Sequence, residues 1–294
     1  NMFEKQKNFE AANNAEAIFS RHSIKGEGSE YEQLSPEGVE KAKKKAEEEL
    51  VPLIEGAEDG TVIFLGGNST EARTVSTLKI YSDELKDIFK ERKDVIFFDR
   101  NQIKEQSKKS GYLNTARYIQ EKADNNPKAK VVIDIPLTLK NLADKKWFDE
   151  DGVSVNTEQL ALLNRHGQDY NVAIKEWFMC EGFLNGKQKL PKPVEVAENY
   201  LRAIKRLENF IGEFSGERKI KTVFAGHGFE IDALLTYLAN DGKVTPEGFE
   251  KIGGKVIDTA ELSFIEPDNE GNIHLKYRGE EFVLPRAEDK GENA

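Results

Sequence analysis

Four side chains, spread over three distant segments, are suited to hold an oxyanion and attack it. Arg21 and His22 follow the β-rich run Ala17-Ile18-Phe19-Ser20. Arg73 stands in Ser69-Thr70-Glu71-Ala72-Arg73-Thr74, beyond the apolar run Thr61 to Leu65 and the pair Gly66-Gly67. His227 stands in Gly226-His227-Gly228, directly after Lys221 to Ala225. Each set lies just past a run that reads as a buried strand, and open α/β sheets collect ligands at the carboxyl ends of their strands. If the three strands are parallel, two imidazoles and two guanidiniums meet at one edge. Guanidinium grips an oxyanion through two donors, a geometry lysine does not reproduce. Neutral imidazole has a free lone pair near pH 7, and neighbouring arginines disfavour its protonation.

The elements that must position these groups are legible from periodicity. Ser35 reads as an N-cap, with Pro36 at the first helical position and Glu37 in the first turn. Val39, Ala42, Ala46 and Leu50 then share one helical face. A second helix is expected from about Thr70 to Lys90, burying Leu78, Tyr81, Leu85, Ile88 and Phe89, with Ser69 as a cap; Val95 to Phe98 reads as a third strand. Residues 106–193 are less regular and read as an insertion or cap, containing a strand from Val131 to Ile135, a charged loop from Lys145 to Asp151 and a helical pattern from Glu158 to Phe178. Regularity returns in a helix from Val194 to Phe214, the strand before His227 and a helix from Phe229 to Leu238. The strands Glu261 to Ile265 and Ile273 to Tyr277 flank a turn-rich segment and read as a closing hairpin. The alternation predicts a three-layer α/β/α sandwich around a mostly parallel sheet, with a cap and a C-terminal hairpin. One domain is expected over residues 10–282, with 1–9 and 283–294 as flexible tails and Asn1 before Met2 as an expression remnant.

Composition narrows the function classes. A net charge of −10 argues against broad nucleic-acid binding, which depends on neutralising many phosphates, so any basic site is local. No apolar run approaches the roughly 20 residues of a membrane helix, and the first nine residues are mostly polar. A lone Cys180 excludes an internal disulfide and any multi-cysteine metal site, which points to a reducing, cytoplasmic setting.

The ordered motifs resemble those of the histidine phosphatase (phosphoglycerate mutase-like) superfamily. Arg21-His22-Ser23 is similar to its Arg-His-Gly motif except at the third position, and Leu34-Ser35-Pro36-Glu37-Gly38 to its Leu-Thr-x-x-Gly segment. Ser69, Arg73, Thr74 and Thr77 reproduce its Ser-x-x-x-Arg-Thr-x-x-Thr pattern, and His227-Gly228 its late His-Gly pair. The resemblance covers about residues 15 to 100 and 194 to 278. It implies a metal-independent phosphomonoester hydrolase that needs no cofactor, acting on a small phosphorylated substrate. His22 would be the nucleophile, Arg21 and Arg73 the phosphate clamps and His227 a donor to the phosphoryl group, with Ser23, Ser69 and Gly228 beside the substrate. For the proton donor, Ile103-Lys104-Glu105 is similar to the family's Leu-x-Glu context and favours Glu105, with Asp99, Glu176 and Glu181 as alternatives. Ser23 and a 26–28 loop without the mutase-type Asn argue against a mutase. Two other functions remain on the same scaffold: mutase-type phosphotransfer, and a non-catalytic phosphate-ligand binder.

A second Arg-His-Gly, Arg165-His166-Gly167, is the better literal match, but the residues before it read as helix and not strand. His166 is therefore expected on the surface or in the cap. Trp177 and Phe178, with Trp147 and Phe148, are expected to form the core of the cap, and Lys187, Lys189 and Lys192 a solvated loop. Oligomeric state and substrate identity are not encoded in these motifs.

Overall fold

The computed structural model describes residues 15–135, 137 and 157–285. The expected tail at 1–9, residues 286–294 of the expected tail at 283–294, the 145–151 loop and the aromatics Trp147 and Phe148 lie outside the described residues. The chain begins with β1 (Ala15–Arg21), then α1 (Pro36–Lys45), which continues through a π turn at Ala46–Leu50 into α2 (Val51–Glu55). Next come β2 (Val62–Asn68), α3 (Ala72–Phe89), β3 (Val95–Phe98), α4 (Arg100–Ser110), α5 (Tyr112–Asp124) and β4 (Lys130–Asp134). A cap of α6 (Thr157–Arg165), α7 (Tyr170–Cys180) and the two-residue strands β5 (Phe183–Leu184) and β6 (Lys187–Gln188) precedes α8 (Pro193–Ser215). The chain closes with β7 (Ile220–Gly226), α9 (Gly228–Ala239), α10 (Pro246–Lys251), β8 (Leu262–Pro267), β9 (Ile273–Tyr277) and β10 (Glu280–Leu284).

Eight strands form one sheet in the order β10-β9-β8-β1-β7-β2-β4-β3. The five strands from β1 to β3 along that order are parallel, and β8, β9 and β10 add antiparallel pairings. Period-two alternation sends Ala15, Ala17 and Phe19 of β1 to one face, where they join α5, α8 and α9. Ile18 points to the other face, toward α1, α2 and α3. Helices cover both faces, so the architecture is the three-layer α/β/α sandwich.

Four details depart from the sequence reading. Residues 106–134 are not cap: they complete α4, form α5 and supply β4, which lies inside the main sheet between β2 and β3. The closing hairpin is a three-strand meander, because β10 pairs with β9 and runs to Leu284, into the expected tail. Gly66 and Gly67 do not end β2 but lie inside it, where the register to β7 shifts between Leu65 and Asn68. There Gly67 takes φ +83°, and a Cβ on Gly66 would collide with the Ile135 carbonyl oxygen, so neither position accepts a side chain readily. Finally, Ile88 is 38% exposed while its expected companions Leu78, Tyr81, Leu85 and Phe89 are buried.

Candidate active site

Strand order brings the distant segments together. β7 lies between β1 and β2, with Arg21 opposite Gly226 and Asn68 opposite Ala225. The next residues along all three strands therefore emerge at one carboxyl edge. The His22 N–H donates to the Gly226 carbonyl at 3.0 Å, which ties the exit of β1 to β7.

The loop after His22 is held from below. The Ser23 hydroxyl donates to the Gly38 carbonyl at 2.6 Å, and its N–H donates to the Thr77 hydroxyl at 3.0 Å. Ser35 caps α1 by accepting from the Gly38 N–H at 3.0 Å. A Cβ on Gly38 would collide with the Ile24 carbonyl oxygen, so glycine is what lets α1 approach this loop. Ser23 is fully buried in this support and does not line the cavity, which corrects its expected contact with substrate.

His22 is 9% exposed, and its Nδ1 lies 2.7 Å from the Ser23 carbonyl oxygen. A carbonyl only accepts, so the proton is assigned to Nδ1 and the lone pair to Nε2. Burial above all, then the Arg73 and Arg21 guanidiniums, hold this imidazole down at about 3, against the opposing Ser23 hydrogen bond. The His22 ring meets His227 edge-on, with centroids 5.3 Å apart and planes at 63°.

His227 has both nitrogens engaged. Its Nε2 lies 2.8 Å from the Ser69 hydroxyl and its Nδ1 3.4 Å from Arg73 Nη2. Guanidinium only donates, so Nδ1 accepts and the proton sits on Nε2, donated to Ser69. Burial, then the neighbouring His22, Arg73 and Arg21, push its pKa well below the ordinary range. The N-cap position of α3 belongs to Glu71, not Ser69. Ser69 is buried and outside the cavity lining, so it orients His227 and does not face substrate.

Arg21 donates from Nη1 to the Ile257 carbonyl at 2.7 Å, and the Ile257 N–H donates to Asp232 of α9 at 2.9 Å. Arg73 donates from Nη1 to Glu71 at 3.1 Å. The Nε atoms of both arginines are buried with no hydrogen-bond partner, among few such side-chain atoms in the described residues. An unanswered N–H costs about 1–3 kcal/mol, more for a charged group, so each guanidinium carries one donor that nothing among the described residues satisfies.

Arg21, His22, Arg73, His227 and Gly228 line one cavity of about 480 Å³. Glu105 does not. It stands on the exposed side of α4, which follows β3 at the far end of the sheet. Ile103 fixes the buried side of that helix, and two residues on is a rotation of roughly 200°, onto the opposite face. Asp99 caps α4 and pairs with Lys86 at 2.6 Å. Glu176 pairs with Arg165 and His166, and neither it nor Glu181 lines the cavity. The carboxylates that do are Glu71 and Glu230, which sequence reasoning passed over. Glu230 is 3% exposed, one helical turn beyond His227, and accepts from the Tyr200 hydroxyl at 3.0 Å. Its spacing from His227, at the opening of a helix, was the available signal.

The second Arg-His-Gly lies at the end of α6, outside the cavity lining, whereas Arg21 ends β1, His22 follows it, and both line the cavity. Trp177 and Phe178 do not form a separate core of the cap but are buried where it packs on Phe229 of α9 and Phe249 of α10. Lys189 and Lys192, which pair with Glu158 and Glu195, are not among the cavity lining. Among the described residues, no helix is long and apolar enough to cross a membrane.

No family model matches the chain. No curated protein matches it in sequence. Among solved structures it is similar to a mycobacterial glucosyl-3-phosphoglycerate phosphatase, at 14% identity and a TM-score of 0.46 over 92% of this chain and 99% of that one. It is also similar to a mycobacterial hydrolase, at 14% identity and TM-score 0.44 over 94% and 93% of the two chains. A third is a candidate alpha-ribazole-5'-P phosphatase of Escherichia coli, at 13% identity and TM-score 0.42 over 90% and 96%.

Proposed function

We propose that this chain is a phosphomonoester hydrolase of the histidine phosphatase superfamily, acting through a phosphohistidine on His22. One observation carries the reading: a neutral imidazole with Nε2 free shares a cavity with two guanidiniums whose buried Nε donors lack acceptors. Phosphate oxygens answer both donors, and two planar clamps offset the charge that a metal otherwise would.

His22 Nε2 attacks phosphorus in line and the ester O–P bond breaks. The Nδ1–H stays hydrogen-bonded to the Ser23 carbonyl, whose dipole stabilises the positive charge growing on the ring. The departing alkoxide takes a proton from Glu230. Glu230 is preferred to Glu71 because it lines the cavity one helical turn beyond His227 and accepts from the Tyr200 hydroxyl, whereas Glu71 forms a salt bridge with Arg73. The Glu230 carboxylate then takes a proton from water, whose oxygen attacks phosphorus. The N–P bond breaks, leaving neutral His22 and inorganic phosphate. His227 Nδ1 accepts from Arg73, so its expected donation to the phosphoryl group requires a second proton. A bound dianion favours that proton by reversing the local charge that Arg21 and Arg73 impose.

The test is hydrolysis of p-nitrophenyl phosphate in EDTA by wild type and His22→Ala, with acid-labile phosphoenzyme trapped by rapid quench. Turnover that survives chelation and disappears with the imidazole supports the reading. Phosphate binding without turnover returns the chain to a non-catalytic binder. Transfer between positions of a phosphoglycerate, without release of phosphate, makes it a mutase.

A further inference from the structure

The phosphate cradle forms only the floor of the cavity. Its wall comes from the cap (Leu160, Leu163 and Tyr170), the opening of α9 (Phe229) and adjoining loops (Ile24 and Val256). Leu160 of α6 and Tyr170 of α7 are 45% and 42% exposed, although both face a cavity whose floor is charged. Large apolar side chains left open beside a polar site mark a surface that a ligand covers.

The wall is also rigid. Tyr170 packs edge-on against Phe229 with centroids 6.0 Å apart, and Phe229 stacks on Trp177 at 5.9 Å with planes 10° apart. Trp177 is fully buried and its Nε1 donates to the Pro191 carbonyl at 2.8 Å. A wall set by stacked rings presents a fixed apolar face at little entropic cost to the ligand it meets.

Charge narrows the ligand further. Besides the two arginines and two histidines, Lys25 is the one basic side chain among the described residues lining the cavity, whereas two carboxylates, Glu71 and Glu230, line it too. With Glu230 carrying the proton it donates, Glu71 still offsets Lys25, so beyond the two clamps a second anionic group gains no net attraction.

Resting on the hydrolase reading for its site, we infer that the substrate is a phosphomonoester of an aromatic or arylalkyl alcohol carrying no second anionic group, with its organic part against the Leu160–Tyr170–Phe229 wall. Phosphonates measure this without turnover, and without the bias of an activated leaving group. By titration calorimetry, benzylphosphonate should bind about tenfold or more tightly than methylphosphonate, from the added apolar contact. Phosphonoacetate, which adds a carboxylate, should bind no better than methylphosphonate. Leu160→Ser and Tyr170→Ala should each weaken benzylphosphonate at least fivefold, while Leu113→Ser, 70% exposed on α5, leaves the order intact. Equal binding of benzyl- and methylphosphonate, or phosphonoacetate as the tightest ligand, overturns the inference. Binding in the expected order by a chain that leaves p-nitrophenyl phosphate intact removes the hydrolase reading alone. Failure to bind any of the three removes both.

Discussion

Replacing Arg73 separates what its shape contributes from what its charge contributes. Arg73 reaches Glu71 through Nη1 and His227 through Nη2, and its Nε is the buried donor without a partner. Arg73→Lys keeps the charge but replaces this planar fork with a single ammonium, forfeiting about one charge-assisted hydrogen bond to the phosphoryl group. That is worth about 2–3 kcal/mol, or about 30- to 150-fold in kcat/KM. Arg73→Gln removes the charge as well. Burial is the largest cause of the low His22 pKa and Arg73 the next, so His22 should then titrate above its present value of about 3 while remaining below 6.5. Proton NMR of the imidazole gives the titrations, and p-nitrophenyl phosphate kinetics the rates. With Arg73→Lys the rate falls and the His22 titration stays low; with Arg73→Gln both change. An Arg73→Lys enzyme within threefold of wild type, or a His22 titration indifferent to Arg73→Gln, refutes the reasoning.

Other substitutions probe separate links. Glu230→Gln should slow hydrolysis of alkyl phosphates about 100-fold and p-nitrophenyl phosphate much less, since a good leaving group needs little help from an acid, and Glu105→Gln should change neither; steady-state kinetics on both ester types decides between them. Ser69→Ala strands the buried Nε2–H of His227 and should cost about 1–3 kcal/mol of stability in urea melts, with a drop in kcat. Gly38→Ala forces α1 off the His22 loop and should lower stability by about 1–3 kcal/mol, read from thermal melts. Buried His22, at about 3 when folded and 6.5 when unfolded, binds its proton in the unfolded chain first as pH falls, so stability drops from about pH 6.5 downward. Between pH 7 and 4.5, wild type should lose about 2–3 kcal/mol more than His22→Asn in urea titrations.

The elements were legible because their causes are local. Ser35 and Pro36 start α1 with a side-chain cap and a preset φ, and the apolar runs of β1, β2 and β7 need only their own residues to be read as strands. Each of the four site residues with chemistry, Arg21, His22, Arg73 and His227, is the neighbour or near neighbour of such a run. The strand contexts also separated His22 from His166, whose Arg-His-Gly motif ends a helix.

What required the fold was every property that depends on which remote surfaces meet. Insertion of β7 between β1 and β2 decides that residues 22, 73 and 227 share a cavity, and no local pattern encodes strand order. Helix phase decides that Glu230 faces the cavity while Glu105 faces away, although both are acidic residues near a strand end. Ser23 and Ser69 show the same division: sequence places them beside the site, and their hydrogen bonds to Gly38 and His227 make them its supports. A chain announces the elements it will form through spacing, caps and turns. The partners of each side chain are set only when layers pack, because contact falls off over a few ångströms and not over positions in sequence.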